Sequence, residues 1–272
     1  MKKDGFNVGN KKVGHKEPCY VIAEIGSNHN QDFDLACEHI EAAADSGSDA
    51  VKFQTFKATN HYSTKSPGFS YLDNQDPHKL IESLELNRSW QKDLMKKANE
   101  CGVHFFSSPC DSDAINSLVE IDTPIYKVAS FEINDYPLIK KLAKTKKSLI
   151  ISTGLANLKE IEFTYNYAKK HGAKEIILLY CVSKYPSEQN DFNLNNIKIL
   201  KEKFNCTVGF SDHSNNNDIA FAAISAGAEV IEKHIALKNR NKSLDFNFSL
   251  KENEIKKFRK RIDEAYNLLG KK

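Results

Sequence analysis

Short apolar runs rich in β-branched residues recur eight times along this chain, and a stretch with helical patterning follows each. The runs are Tyr20–Ile25, Ala50–Phe53, His104–Ser107, Ile125–Ala129, Ser148–Ser152, Ile176–Val182, Thr207–Phe210 and Glu229–Lys233. Continuous apolar runs this short suit strands that are buried on both faces of a parallel sheet. Between them, Asp34–Ser46, Trp90–Glu100, Leu158–His171 and Asp218–Ala226 read as helices, closed by Gly47, Gly102, Gly172 and Gly227. Glycine after a last helical turn adopts the left-handed conformation at little cost, so it marks a helix end. A final helix is expected to open on a capping box of Ser249 and Glu252 and to run through Ile255, Phe258 and Ile262.

Eight strand–helix units joined by tight loops predict an α/β fold, a (β/α)8 TIM barrel forming a single domain over residues 19–272. Residues 1–18 precede the first strand and read as an N-terminal extension or hairpin cap. A doubly wound open sheet would be expected to carry a glycine-rich fingerprint after its first strand. Here that place reads Glu24-Ile25-Gly26-Ser27-Asn28. Phe56–Arg88 is the one long irregular stretch, and a loop of that length in a compact domain reads as functional, such as a lid.

With 40% hydrophobic and 28% charged residues, the 272-residue chain has material for a large core and is not of disordered composition. Lys and Arg total 39 against 36 Asp and Glu, a net +3, which argues against nucleic-acid binding driven by bulk charge. The arginines, the better base readers, are Arg88, Arg240, Arg259 and Arg261. No apolar stretch approaches the roughly 18 residues of a membrane span, and Met1–Lys16 is polar, unlike a secretion signal. Six scattered cysteines without a CxxC read as reduced thiols of a cytoplasmic protein, each a small buried apolar residue.

A barrel of this kind builds its active site from the loops at the C-terminal ends of its strands. Polar residues concentrate there: Glu24 and Asn28, Lys52 and Gln54, Ser107, Ser108 and Asp111, Lys127, Ser130 and Glu132, Ser152 and Thr153, Ser183 and Tyr185, Ser211 to His213, Glu232 and His234. Lys52 and Lys127 interrupt apolar runs, and a buried lysine needs a counter-charge. They read as an anion clamp, as structural ion pairs with barrel carboxylates, or as a Schiff-base amine. His213 and His234 lie on neighbouring strand ends beside Asp212 and Glu232. They read as two ligands of a divalent metal or as structural histidines. Ser107, Ser130, Ser152 and Ser211 suit phosphate oxygens or local caps and turns. His29 reads as a loop residue near the mouth. There is no Gly-x-Ser-x-Gly elbow, Walker A loop or dinucleotide fingerprint.

At these residues the chain resembles the sialic acid (nonulosonic acid) synthase family. The matching phrases are Ala23-Glu24-Ile25-Gly26-Ser27-Asn28-His29-Asn30, Val51-Lys52-Phe53-Gln54-Thr55, Ser107-Ser108-Pro109 with Asp111, and Tyr126-Lys127-Val128-Ala129-Ser130 with Glu132 and Asn134. Further on come Ser152-Thr153-Gly154, Cys181-Val182-Ser183-Lys184-Tyr185-Pro186, Gly209-Phe210-Ser211-Asp212-His213 and Ile231-Glu232-Lys233-His234. They follow one another in family order from about residue 8 to residue 270.

The resemblance implies a condensation: phosphoenolpyruvate adds through C3 to the aldehyde of an N-acylated hexosamine, water attacks C2, and phosphate leaves by C–O cleavage. Carried over by position, Lys52, Lys127, Ser130, Ser152, Ser183 and Ser211 would hold phosphoenolpyruvate. Gln54, Glu132, Tyr185 and Asp245 would face the sugar. Glu24 would move a proton or orient water, and Glu132, His213 and His234 complete the expected catalytic set. His213 and His234 would bind manganese or magnesium. N-acetylmannosamine or a diacetamido-dideoxyhexose is the implied acceptor, and a non-catalytic sugar- or anion-binding barrel in polysaccharide assembly is the other alternative. The family usually continues into an antifreeze-like domain that is swapped across a dimer. This sequence ends at Lys272, so the expected partners are a second copy of the chain and an antifreeze-like domain on a separate protein.

Overall fold

The computed structural model describes residues 4–61, 63–67, 76–237 and 243–270. Two short strands, β1 (Phe6–Val8) and β2 (Lys11–Val13), pair antiparallel as a hairpin. Eight parallel strands follow: β3 (Tyr20–Gly26), β4 (Ala50–Thr55), β5 (His104–Pro109), β6 (Ile125–Val128), β7 (Ser148–Ser152), β8 (Ile176–Cys181), β9 (Thr207–Asp212) and β10 (Val230–Ala236). Their order is β5-β4-β3-β10-β9-β8-β7-β6, and the two end strands lie side by side, so the sheet forms a nearly closed (β/α)8 barrel. Every residue of β3, β7, β8, β9 and β10 is buried, as the unbroken apolar runs predict.

Helices α1 (Phe33–Asp45), α2 (Ala58–His61), α3 (Pro77–Glu82), α4 (Gln91–Glu100), α5 (Ser112–Glu120), α6 (Tyr136–Lys144), α7 (Leu158–Lys170), α8 (Asn195–Phe204), α9 (Asp218–Ser225) and α10 (Glu252–Leu268) complete the described helices. The predicted stops hold: Gly47, Gly102, Gly172 and Gly227 all have positive φ. Phe56–Arg88 is not wholly irregular, since it carries α2 and α3, and residues 62 and 68–75 lie outside the described residues. The base of this excursion is clasped by Glu85, whose carboxylate pairs with Lys57 and accepts from the Ala58 N–H at 2.7 Å.

The final helix corrects one expectation. It begins at Glu252, with Glu254 accepting from the Lys251 N–H at 2.7 Å. Ser249 is used elsewhere: its hydroxyl donates to the Asp245 carbonyl at 2.6 Å and accepts from the Asn28 amide at 3.0 Å.

Strand side chains alternate between the barrel interior and the helix layer. The outward set, including Val21, Ala23, Val51, Phe53, Val208, Phe210 and Ile231, joins helix residues such as Ile40, Leu94, Leu142 and Ile262 in the larger core. The inward set at the lower end, Tyr20, Ile22, Ala50, Phe106, Ile125, Ile150, Ile177, Leu179 and Val230, forms a separate core with Val8 and Val13 of the hairpin. The hairpin therefore plugs the bottom of the barrel. It is tied there by Lys11 to Asp49 at 2.8 Å and by Asn10 to His104 at 2.8 Å.

Candidate active site at the upper mouth of the barrel

One pleat above that apolar plug, the same inward register turns polar. On β3, β4, β6 and β10, Ile22, Ala50, Ile125 and Val230 give way to Glu24, Lys52, Lys127 and Glu232, each at most 3% exposed. The Lys52 ammonium lies 2.8 Å from Glu24 and 3.7 Å from Glu232. Lys127 donates to both oxygens of Glu232, at 2.9 and 3.2 Å. The Ser211 hydroxyl adds a third donor to Glu232 at 2.8 Å, and Gln54 donates to the second oxygen of Glu24 at 2.8 Å. Both lysines thus have carboxylate partners, as burial of an ammonium requires.

The four charges tune one another. Burial favours the neutral form of Glu232, but Lys127 and Lys52 prevail and hold it well below the usual carboxylate range. Burial pulls down on Lys52, and Glu232 with Glu24 more than compensate, raising it above its ordinary value. At Lys127 burial wins over Glu232, and the ammonium lies below its ordinary value.

Beside the quartet is a pocket of small polar groups. Ser130 and Ser152 are buried, and the Ser130 hydroxyl accepts from the Gly154 N–H at 3.1 Å and contacts the Cys181 sulfur at 3.2 Å. The Ser183 hydroxyl is buried with no hydrogen-bond partner. A Cβ placed on Gly154 would lie 2.5 Å from the Ser183 oxygen and 2.8 Å from the Cys181 sulfur, so only glycine leaves this cradle open.

Across the mouth, His213 and His234 stand with ring centroids 5.7 Å apart. His213 Nδ1 donates to the Val182 carbonyl at 3.0 Å, which leaves Nε2 as its lone-pair nitrogen. Burial and the neighbouring His234 push His213 down to about 3, so it is neutral. His234 Nδ1 is buried with no hydrogen-bond partner, and the nearest Asp245 oxygen is 3.7 Å away. Asp245 is held by the Ser27 hydroxyl at 2.9 Å and backbone N–H at 3.2 Å. Tyr185 lies 4.4 Å from His213 between ring centroids, and Phe248 packs 5.0 Å from His234 and 5.4 Å from Tyr185. Glu132 is half-buried beside Cys110, whose thiol is pushed up by burial and by Glu132. Among the described residues no three His, Cys, Asp or Glu side chains converge as a ready-made metal cage.

Sequence reasoning named most of this set but gave Glu232 no role, although it is the hub of the charged quartet. Its place two residues before His234 on one strand was the available signal, because residues two apart share a face. Cys181 and Phe248 were also not assigned to the site. Two expectations change. His29 does lie in the turn that follows β3, but it is fully buried, with its ring 6.2 Å from Phe53 on the helix-facing side of β4. Asp111 caps α5, accepting from the Ala114 N–H at 2.7 Å while paired with Arg88.

The comparisons agree with this geometry. The NeuB family profile matches residues 39–272. The chain is 40% identical over 257 residues to an N,N'-diacetyllegionaminic acid synthase of Campylobacter jejuni, covering 92% of this chain and 77% of that protein. It is 31% identical to the mouse N-acetylneuraminate-9-phosphate synthase, covering 95% of this chain and 73% of the relative. A crystal structure of N-acetylneuraminic acid synthetase from Leptospira borgpetersenii, in complex with citrate, superposes with a TM-score of 0.91 at 32% identity, over 98% of this chain and 90% of that one. No helix among the described residues is long and apolar enough to cross a membrane. The chain belongs to the NeuB family and is a synthase of the kind these relatives represent.

Proposed function

We propose that the upper mouth condenses phosphoenolpyruvate with the open-chain aldehyde of an N-acylated hexosamine, giving a nonulosonic acid and phosphate. The observation that carries this reading is the convergence, on the inward face of one barrel end, of two buried lysines with a pair of imidazoles. A multiply charged anion needs cations in a dry site, and an aldehyde needs an electrophile. In the reaction a bond forms between C3 of phosphoenolpyruvate and the aldehyde carbon, water adds at C2, and the C2–O bond to phosphate breaks.

In this reading Lys52 and Lys127 hold the anion, exchanging part of their hold on Glu24 and Glu232 for it. Ser130, Ser152, Ser183 and Ser211 supply further donors to its oxygens. Glu232, held ionised by its lysines, acts through charge. Glu24, fixed by Gln54 and Lys52, is the carboxylate that orients water or takes a proton. Gln54, Glu132, Tyr185 and Asp245 border the space left for the sugar.

The two histidines fit a divalent cation such as manganese or magnesium. His213 offers Nε2 because Nδ1 is engaged, and His234 keeps a buried ring nitrogen without a partner. Two imidazoles with open positions suit such an ion, which when bound supplies Lewis-acid polarisation of an aldehyde oxygen. The second reading differs only in the acceptor, a diacetamido-dideoxyhexose in place of N-acetylmannosamine. It is favoured by the 40% identity to a synthase whose product carries two acetyl groups by name.

The test is a panel of amino sugars with phosphoenolpyruvate labelled with 18O at the bridging oxygen, with and without manganese. The expected result is acceptor-dependent formation of a 2-keto acid, with the label in phosphate. Label retained in the keto acid, or a borohydride-trapped adduct on Lys52 or Lys127, contradicts the mechanism.

A further inference from the structure

We infer that Asp212 and Lys233 are positioning residues: a buried ion pair behind the barrel wall that fixes the two strand ends carrying His213 and His234. The two residues are directly opposed in the β9–β10 register, and each immediately precedes one of the histidines. Strand alternation sends the pair outward and the imidazoles inward.

The neighbouring outward positions Val208, Phe210, Ile231 and Ile235 are apolar. Asp212 is fully buried and Lys233 is 2% exposed, with 2.9 Å between ammonium and carboxylate. A buried pair is costly to desolvate, and well-packed apolar residues of similar size commonly serve stability as well or better. Its presence at this register therefore asks for a reason beyond packing.

The hydrogen bonds around it supply one. The second Asp212 oxygen accepts from the Ser214 N–H at 2.9 Å and from its hydroxyl at 2.7 Å. Lys233 also donates to the Ser214 carbonyl. The residues on either side of His213 are thereby tied to β10. The His213 carbonyl accepts from the Ser187 N–H at 3.0 Å, so the loop that carries Tyr185 is joined to the same knot. One ion pair thus sets His213 relative to His234 and Tyr185 relative to both.

This inference rests on the reading that the imidazole pair holds a cation, and its test separates the two. Metal-free protein labelled with 15N-histidine is compared as wild type, Asp212→Leu with Lys233→Met, and Asp212→Asn with Lys233→Met. Each is also titrated with manganese chloride by electron paramagnetic resonance. The apolar double variant is expected to unfold at close to the wild-type temperature and to keep its phosphoenolpyruvate affinity. Its His213 and His234 ring signals should broaden or split, and manganese affinity should fall about 10- to 100-fold, as for loss of other supporting partners of metal ligands. Should that variant fail to fold, Asp212→Asn with Lys233→Met, which keeps an acceptor for Ser214 and leaves no buried charge unpaired, is expected to show the same changes to a smaller degree. Sharp wild-type ring signals with unchanged manganese affinity, in either folded variant, overturn the inference. If His213→Ala and His234→Ala leave manganese binding unaltered, the metal reading fails, and the ring signals alone decide whether the pair positions the histidines.

Discussion

The two ends of the barrel interior use the same strands and the same inward register, yet they differ completely in chemistry. At the lower end Ile22, Ala50, Ile125, Ile150, Leu179 and Val230 pack with the hairpin valines into an apolar plug. Two residues further along each strand stand Glu24, Lys52, Lys127, Ser152, Cys181 and Glu232. A single pleat repeat, about 7 Å of strand, separates them. The lower layer gains free energy from burial, whereas the upper layer places four charges where their desolvation is expensive. The difference teaches that this barrel keeps its stability and its chemistry on separate storeys, so the two should respond separately to substitution.

The largest effects should come from emptying each storey in turn. Phe106→Ala, in the plug, should cost about 3–5 kcal/mol of unfolding free energy. It should leave the turnover of the remaining folded protein near wild type, as urea titration and an assay on one sample can show. Glu232→Leu should cost a similar amount, about 3–5 kcal/mol, because Lys127 is left buried without its carboxylate. It should abolish turnover as well. A Phe106→Ala protein that folds fully but loses activity would break the separation.

Acidification should act through the buried histidines, those of the wall between barrel and helices as well as His213 at the mouth. His29 and His39 are buried and neutral, each pushed down to about 4 chiefly by burial. The unfolded chain takes up protons on these rings near pH 6.5 while the folded chain does not. The contribution of these two rings should therefore fall as pH drops from about 6.5 to about 4 and level off below that. The loss is about 3.5 kcal/mol per histidine, from roughly 2.5 pH units at about 1.4 kcal/mol each. His39→Leu should shallow this slope in denaturant titrations. An unchanged slope would mean that the rings are not the groups responsible.

The smallest effect sharpens the boundary of the site. Asn157 caps α7, accepting from Lys159 and Glu160 N–H groups at 2.9 and 3.1 Å, only three residues beyond Gly154. Asn157→Ala should cost about 1 kcal/mol in stability. Phosphoenolpyruvate affinity by calorimetry should stay within about twofold, since the cap serves the helix.

Much of this arrangement could be read from the chain because it depends on local rules. Unbroken apolar runs marked the strands, and Gly47, Gly102, Gly172 and Gly227 marked helix ends through a conformation that other residues adopt at a cost. The site lysines announced themselves as charges inside apolar runs. What escaped depends on contacts distant in sequence. That Glu232 would serve Lys127, 105 positions earlier, follows only once the ring of strands closes. Ser249 reads as a helix cap by its spacing, but Asn28 and the Asp245 carbonyl claim it first. His29 reads as a loop residue, and only the packing of Phe53 shows that its loop folds inward. Asp111 sits at a strand end like the site residues, yet the start of α5 takes its carboxylate.

The most direct test of the two-storey account removes one whole ion pair from the mouth while leaving the other. Lys127→Met with Glu232→Leu deletes two opposite charges together and leaves Lys52 its 2.8 Å contact with Glu24. Unfolding free energy and phosphoenolpyruvate affinity are then measured on the same preparation. The account predicts stability equal to or above wild type, with anion affinity and turnover down by at least about a thousandfold, or about 4 kcal/mol. A protein that loses several kcal/mol of stability, or one that still binds phosphoenolpyruvate as wild type does, would contradict it.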